Sequence, residues 1–405
     1  MLYYIFRPLI RVVLRAYFRK IYFTNLDKVP KNTPILYALN HPTSFIEPVL
    51  LASHAWTVYN FILRGDVYNS PKFVQWCLRS VNCIPIYRKS EGFRGMRKNQ
   101  MTFDYCYELW NANKGIQVLV EGHTKHEKRL RPVQKGPARM ILGYYEKFQN
   151  ENLAIVPVGI NYTDSHTFRS YISADFGDPM YLKDYLETYQ ENDRKAVRLI
   201  TKDIGDALRS KVIHIEKNDD DELANQLLDI HRNSQNFPIF PISDYKNDQP
   251  FKEEWKLVER FNQKEESEKE SLKIKAKNYF DKLQKLNLND VGVAKPNKGN
   301  WLNLIPLILG FIPFLIGAIF HAPVIIAGKK VADKVVKKIE FHASIRVGVW
   351  VAGGLIYYLI WLGILTLIFN WKIALGSLLI IWLGCGRIAL IIRDLYFEFS
   401  NARKF

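Results

Sequence analysis

The sequence predicts an α/β domain with a mixed sheet flanked by helices, an amino-terminal interfacial helix before it and a carboxy-terminal transmembrane helical hairpin after it. Three observations carry this. Short β-rich runs (TPILYAL, NCIPIYR, IQVLVEG, LAIVPVGINY and RSYISADFG) alternate with helical stretches over about residues 21 to 235, the pattern of an α/β domain. Uncharged runs cover Trp301 to Gly328, Val347 to Trp371 and Ile373 to Gly386, and about 20 apolar residues match the hydrocarbon thickness of a bilayer. In the first 20 residues Arg7, Arg11, Arg15 and Arg19 recur every fourth position, one helical stripe.

Residues 1–20 read as an amphipathic helix at a membrane interface, because the charge is interspersed among Ile5, Phe6, Leu9, Ile10, Val13 and Tyr17. A secretory signal would place the charge first and a cleavage site after it. Residues 21–245 hold the α/β domain; within it Val197, Ile200, Ile204, Ala207 and Leu208 mark a helix over Lys195 to Leu208. Residues 246–300 are crowded with Lys and Glu and read as a solvated, charged helical linker. The run 301–328 contains Pro306, Pro313 and Pro323. Each removes a helix hydrogen bond, so a re-entrant or interfacial segment is expected. Residues 329–346 carry six Lys or Arg against Asp333 and Glu340, a basic loop that the positive-inside rule places in the cytoplasm. Transmembrane helices are predicted over 347–369 and 373–392, with Arg387 near enough to the end of the second to snorkel.

The composition excludes disorder. Of 405 residues 48% are hydrophobic, and the formal net charge is +17. That excess suits an anionic surface; nucleic acid would account for the charge but not for the apolar runs, and no nucleic-acid partner is expected. Cys77, Cys83, Cys106 and Cys385 are too few and too irregular for a disulfide framework.

Candidate chemistry begins directly after TPILYAL, in NHPTSFIEP. His41 follows a strand and Glu47 comes six residues later, where a carboxylate can accept the imidazole's distal proton and leave the other nitrogen as a general base. Arg88 ends CIPIYR with a planar fork suited to a phosphate monoester. Glu121 and Gly122 follow IQVLV: the carboxylate can orient a polyol hydroxyl, and the glycine permits close backbone approach. Lys135 and Arg139 stand on the next helix, and Pro157 lies at the end of a strand. His123 and His126 are three apart without a third ligand at metal spacing, so no metal is expected. No nucleophile elbow, Walker loop or dinucleotide glycine pattern is present.

Taken in order, NHPTSFIEP, CIPIYR, LVEGHTKHE and IVPVGINY resemble the four motifs of the glycerophospholipid acyltransferase superfamily, over about residues 20 to 215. The resemblance implies that His41 is the base and Glu47 its partner. It also implies that Arg88 holds the acceptor phosphate, Glu121 and Gly122 line the acceptor site and Pro157 shapes the donor side. Lys135 and Arg139 are added from charge and position. Glu47 stands where the family usually has Asp, one residue further along, and the third motif reads Val120-Glu121-Gly122-His123-Thr124 in place of the usual Pro-Glu-Gly.

The function expected is transfer of a fatty acyl group from acyl-CoA or acyl-carrier protein, as co-substrate, to glycerol 3-phosphate. No further cofactor is expected. The alternatives are the 1-acyl form or another lysolipid as acceptor, and a non-catalytic membrane scaffold. The expected partners are membrane lipids, the acceptor and the thioester donor, for an integral membrane protein facing the cytoplasm.

Overall fold

The computed structural model describes residues 2–404 except 56, 69 and 88–91, with the helix backbone alone over 92–98. The chain forms two compact units, residues 1–214 with 243–248 and residues 215–242 with 249–405. The predicted domain boundary at 245 is therefore corrected. Residues 215–242 leave the first unit, and only a short strand returns to it.

The first unit is built on β1 (Lys20–Thr24), β2 (Ile35–Leu39), β3 (Tyr59–Arg64), β4 (Cys83–Ile86), β5 (Gly115–Leu119), β6 (Ala154–Tyr162), β7 (Tyr171–Phe176), β8 (Met180–Tyr181) and β9 (Ser243–Asp244). The sheet order is β4-β3-β5-β2-β6-β7-β1-β9, with β8 also on β6. All neighbours run parallel except where β6 meets β7 and β8. A mixed sheet is thus as expected, but β1 (KIYFT) and β3 (YNFILR) were not among the predicted runs. Every residue of β1, β2 and β6 is buried, as in parallel sheets covered on both faces.

Helices α1 (Leu2–Tyr17), α2 (Ile46–His54), α3 (Lys72–Ser80), α4 (Gly92–Asn111), α5 (Gly136–Phe148), α6 (Leu186–Glu191) and α7 (Asp193–Arg209) belong to this unit. Trp110 of α4, Ile141 and Tyr144 of α5 and Ile200, Ile204 and Leu208 of α7 form one buried cluster with Leu36, Ile116 and Ile155 of the sheet. The helical spacing read around Lys195 is the reason α7 presents those side chains together, and Asn192 caps its start by accepting from Lys195 N–H at 2.9 Å.

Helix α1 turns its arginine stripe inward. Arg7 donates to the Ala55 carbonyl, Arg11 to Ser53 O at 2.6 Å and Arg15 to Ser243 Oγ at 2.9 Å. The first two satisfy carbonyls at the carboxy end of α2, where the helix dipole favours cations. Tyr4 and Ile5, on the outer side, are exposed.

The second unit contains α8 (Asp221–Ser234), α9 (Gln249–Asn262), α10 (Glu266–Lys285), α11 (Asp290–Ala294), α12 (Leu304–Leu309), α13 (Phe311–Val335), α14 (His342–Ile368), α15 (Trp371–Leu379) and α16 (Gly386–Ala402). Residues 246–300 are not a solvated linker. Phe251, Val258, Phe261, Ala276 and Leu283 are buried, Lys269 pairs with Asp220 at 2.7 Å, and Arg232 grips Glu254 with two bonds of 2.8 and 3.0 Å. Each Lys/Glu-rich helix has an inner face, which the dense charge on its outer face conceals in the sequence.

Among the described residues, three helices are long and apolar enough to cross a membrane: Phe311–Val335, Ile339–Ile368 and Trp371–Ala402. The expectation that proline breaks the first of them is corrected. Pro306 and Pro313 fall in the first turns of α12 and α13, where no N–H donor is needed. Only Pro323 is interior, and α13 runs through it. The predicted hairpin corresponds to α14 and α15–α16, with Asn370 Oδ1 accepting from Ile373 N–H at 3.0 Å at the turn. The second helix continues past 392 to Ala402 and includes a π-helical segment over Ile380–Cys385.

Candidate active site

Parallel β2 and β5 end side by side, which brings the residues after Leu39 and after Leu119 to one edge of the sheet. Ligands of open α/β sheets bind outside such carboxyl ends. Asn40 clamps β2 to β6: its amide donates to Ile160 O at 2.9 Å and accepts from Ile160 N–H at 2.7 Å. The chain then turns through His41 to Phe45 and enters α2 at Ile46.

Glu47 lies in the first turn of α2 and is fully buried. Its Oε1 accepts from Thr43 N–H at 2.5 Å and from Thr43 Oγ1 at 2.8 Å, so the carboxylate reaches back across the turn. Its Oε2 has no hydrogen-bond partner among the described residues and lies 3.7 Å from His41 Nδ1, which also lacks one. That separation exceeds hydrogen-bond length, and catalytic pairs without substrate are often long. The extra residue and methylene of Glu47 therefore still deliver a carboxylate oxygen to the imidazole. Tyr162 stands 3.4 Å from Thr43 Oγ1; burial, then the charge of Glu47, push its hydroxyl well above the usual tyrosine range.

Glu121 has a different environment from the one expected of an acceptor ligand. It is buried; Oε2 accepts from His41 N–H at 2.7 Å and from Arg131 Nη2 at 3.0 Å, and Oε1 accepts from Arg131 N–H at 2.8 Å. Its oxygens hold the first motif in place. Arg131, which the sequence reading did not single out, also donates to the carbonyls of His41 (3.2 Å) and His123. Its only sequence signal was membership of the basic run KHEKRLR. Its Nη1 is buried without a hydrogen-bond partner among the described residues.

Gly122 has φ of 75°, a left-handed conformation that side chains other than glycine's rarely adopt. A Cβ there would meet Gln134 Cγ at 3.1 Å, so this glycine answers to the turn itself. Lys135 and Arg139 are exposed at the start of α5. Pro157 is not at a strand end: it is the fourth residue of the nine-residue β6, buried beside Ala38 of β2. It falls between the segments that pair with β8 and with β7, where β6 has no ladder partner on that side, and a missing N–H is tolerated there. Arg88 lies outside the described residues, just beyond the end of β4.

The buried His41 thus faces the Glu47 carboxylate at the carboxyl edge of a mixed sheet. Residues 20–161 match the Acyltransferase family model. Among curated proteins, 110 residues are 35% identical to "Glycerol-3-phosphate O-acyltransferase 1" of Saccharomyces cerevisiae, covering 26% of this chain and 14% of that protein. A further 100 residues' match, 30% identical, is to "Uncharacterized acyltransferase C1718.04" of Schizosaccharomyces pombe, covering 24% of this chain and 15% of the relative. The chain thus aligns with about one-seventh of the length of these relatives. Among solved structures, the 1-acyl-sn-glycerophosphate acyltransferase PlsC from Thermotoga maritima gives a TM-score of 0.34 at 16% identity, over 47% of this chain and 72% of that one.

Proposed function

We propose that this protein is a membrane-bound O-acyltransferase that moves a fatty acyl group from acyl-CoA or acyl-carrier protein to a hydroxyl of glycerol 3-phosphate. The observation that carries the reading is the buried His41–Glu47 pair at 3.7 Å, set in a domain whose curated relative bears the name of a glycerol-3-phosphate O-acyltransferase. With Nδ1–H directed at Glu47, the imidazole keeps a lone pair on Nε2. Nε2 takes the proton of the acceptor hydroxyl as its oxygen attacks the thioester carbonyl. Collapse of the tetrahedral intermediate forms the C–O bond, breaks the C–S bond and passes the proton to the departing thiolate.

Arg88 is the proposed ligand of the acceptor phosphate, and the buried Nη1 of Arg131, without a hydrogen-bond partner among the described residues, is a second, because a guanidinium suits phosphate oxygens. Gly122, Lys135, Arg139 and Pro157 keep the substrate-side roles that the resemblance and their charge suggest. No cofactor beyond the thioester is needed. Three helices long enough to span a bilayer keep the enzyme where its product dissolves, and the catalytic unit faces the cytoplasm, where acyl thioesters are made.

The test is acylation by membranes containing the protein, with glycerol 3-phosphate and its 1-acyl form offered separately and with coenzyme A and carrier-protein thioesters as donors. Glycerol 3-phosphate is expected to be acylated, and His41→Ala to lower turnover by about 10²–10⁴. Preference for the 1-acyl form would move the assignment one step along the pathway. Absence of acylation with every pair would leave the scaffold reading.

A further inference from the structure

Away from the His41–Glu47 pair, the loop after β5 meets the loop after β6. His126 stands in the first; Asp164 and His166 stand in the second, within Thr163-Asp164-Ser165-His166-Thr167. The geometry points to a divalent metal site of the two-histidine, one-carboxylate type, with Zn²⁺ as the ion that best suits two imidazoles and one carboxylate.

Each of the three residues offers one ligand atom, and these atoms all lie within 4.8 Å of one another. His126 Nε2 is 4.0 Å and His166 Nδ1 2.6 Å from Asp164 Oδ1. Bonds of about 2.0–2.2 Å to a tetrahedral ion require ligand separations of about 3.3 Å. The His126–Asp164 pair must close and the His166–Asp164 pair open, each by less than about 1 Å. The rings meet edge to face with centroids 5.3 Å apart, so neither shields the other's nitrogen from a common point.

Supporting bonds aim the ligands, as metal sites require. Ser165 Oγ is 3.0 Å from His126 Nδ1, which leaves Nε2 as the nitrogen facing Asp164. Thr167 Oγ1 donates to Asp164 Oδ2 at 2.7 Å and the His166 backbone N–H donates to Oδ1 at 3.1 Å, and Oδ1 is the oxygen nearest both rings. Tyr17 donates to the His166 carbonyl at 3.1 Å and anchors that loop to the end of α1. Lys128 Nζ donates to the Thr163 carbonyl at 2.9 Å. All three ligand residues are half-buried, so an ion can enter and a water can fill the fourth position. On binding, three metal–ligand bonds form, and a proton on any ligand atom is released to solvent. The ion then ties the 122–131 loop, which carries Arg131, to the loop after β6.

The experiment uses full-length, tag-free protein in detergent, stripped with chelator, reloaded with ZnCl₂ and dialysed. Metal content is measured by mass spectrometry and affinity by competition with a chromophoric chelator. One equivalent of zinc per chain is expected for the parent and none for His126→Ala with His166→Ala. Ser165→Ala should keep the site but bind about 10–100-fold more weakly. Zinc-free parent protein, or full occupancy in the double variant, overturns the site. If the double variant does not fold, Co²⁺-loaded parent decides alone: an intense visible band of a four-coordinate ion supports the site, and the weak spectrum of six-coordinate Co²⁺ overturns it.

Discussion

Glu47 holds Thr43 with one oxygen and faces His41 Nδ1 at 3.7 Å with the other. In the proposed mechanism the carboxylate is shared between shaping a turn and orienting the base. Glu47→Gln can keep the first role by turning its carbonyl toward Thr43, but its NH₂ then donates toward Nδ1 and favours the tautomer with hydrogen on Nε2. Turnover should fall by about 10²–10³, close to the loss in His41→Ala, while melting temperature changes little. Glu47→Asp should retain part of the rate. A fully active Gln variant would show that another group serves the base.

The half-buried Arg131 and the buried Glu121 form a pair that ties the third motif to the backbone of the first. Removing one partner leaves the other charge uncompensated, so Arg131→Met is expected to destabilise the domain by about 3–5 kcal/mol. The double variant with Glu121→Gln should lose less than the sum of the single losses. Denaturant melts of the four proteins give the coupling, and strict additivity would deny it.

His54 predicts acid lability. It is buried, stacked on Phe23 and 2.8 Å from Ser53 Oγ. Burial, then the charges of Arg15 and Arg11, lower its pKa from 6.5 to about 3. The unfolded chain takes up a proton as pH falls through about 6.5 while the folded domain does not, so stability declines from there toward pH 3. Between pH 7 and pH 5 this site alone should cost about 2 kcal/mol. Thermal melts at both values should show a smaller drop for His54→Gln; equal drops would assign the acid sensitivity elsewhere.

Membrane topology is open to direct measurement. Helix α13 has the length to cross, yet the basic charge of 329–346 together with the proposed cytoplasmic catalytic unit predicts residues 260 and 337 on one side. Cysteines introduced at 260 and 337, after the native thiols are replaced, should react with an impermeant reagent from the cytoplasmic face. A cysteine at 371 should react from the opposite face. Opposite labelling of 260 and 337 would make α13 a single span and reverse the proposed orientation of one side.

The alternation of strand and helix, the apolar spans and the ordered motifs around His41, Arg88, Glu121 and Pro157 are all legible in the sequence. They depend on local periodicity and on residue chemistry, which neighbours along the chain suffice to express. Folding alone settled partners distant in sequence. Arg131 gains its place only when β5 lies against β2 and sets Glu121 beneath the His41 backbone. The arginine stripe of α1 reads as a surface feature until the carbonyls of Ser53 and Ala55 turn it inward. Along the chain His126 stands three residues from His123, yet its neighbours in space include Asp164 and His166, about 40 residues on. Hydrogen bonds and ion pairs act over a few ångströms of space, and a sequence records distance along the chain only.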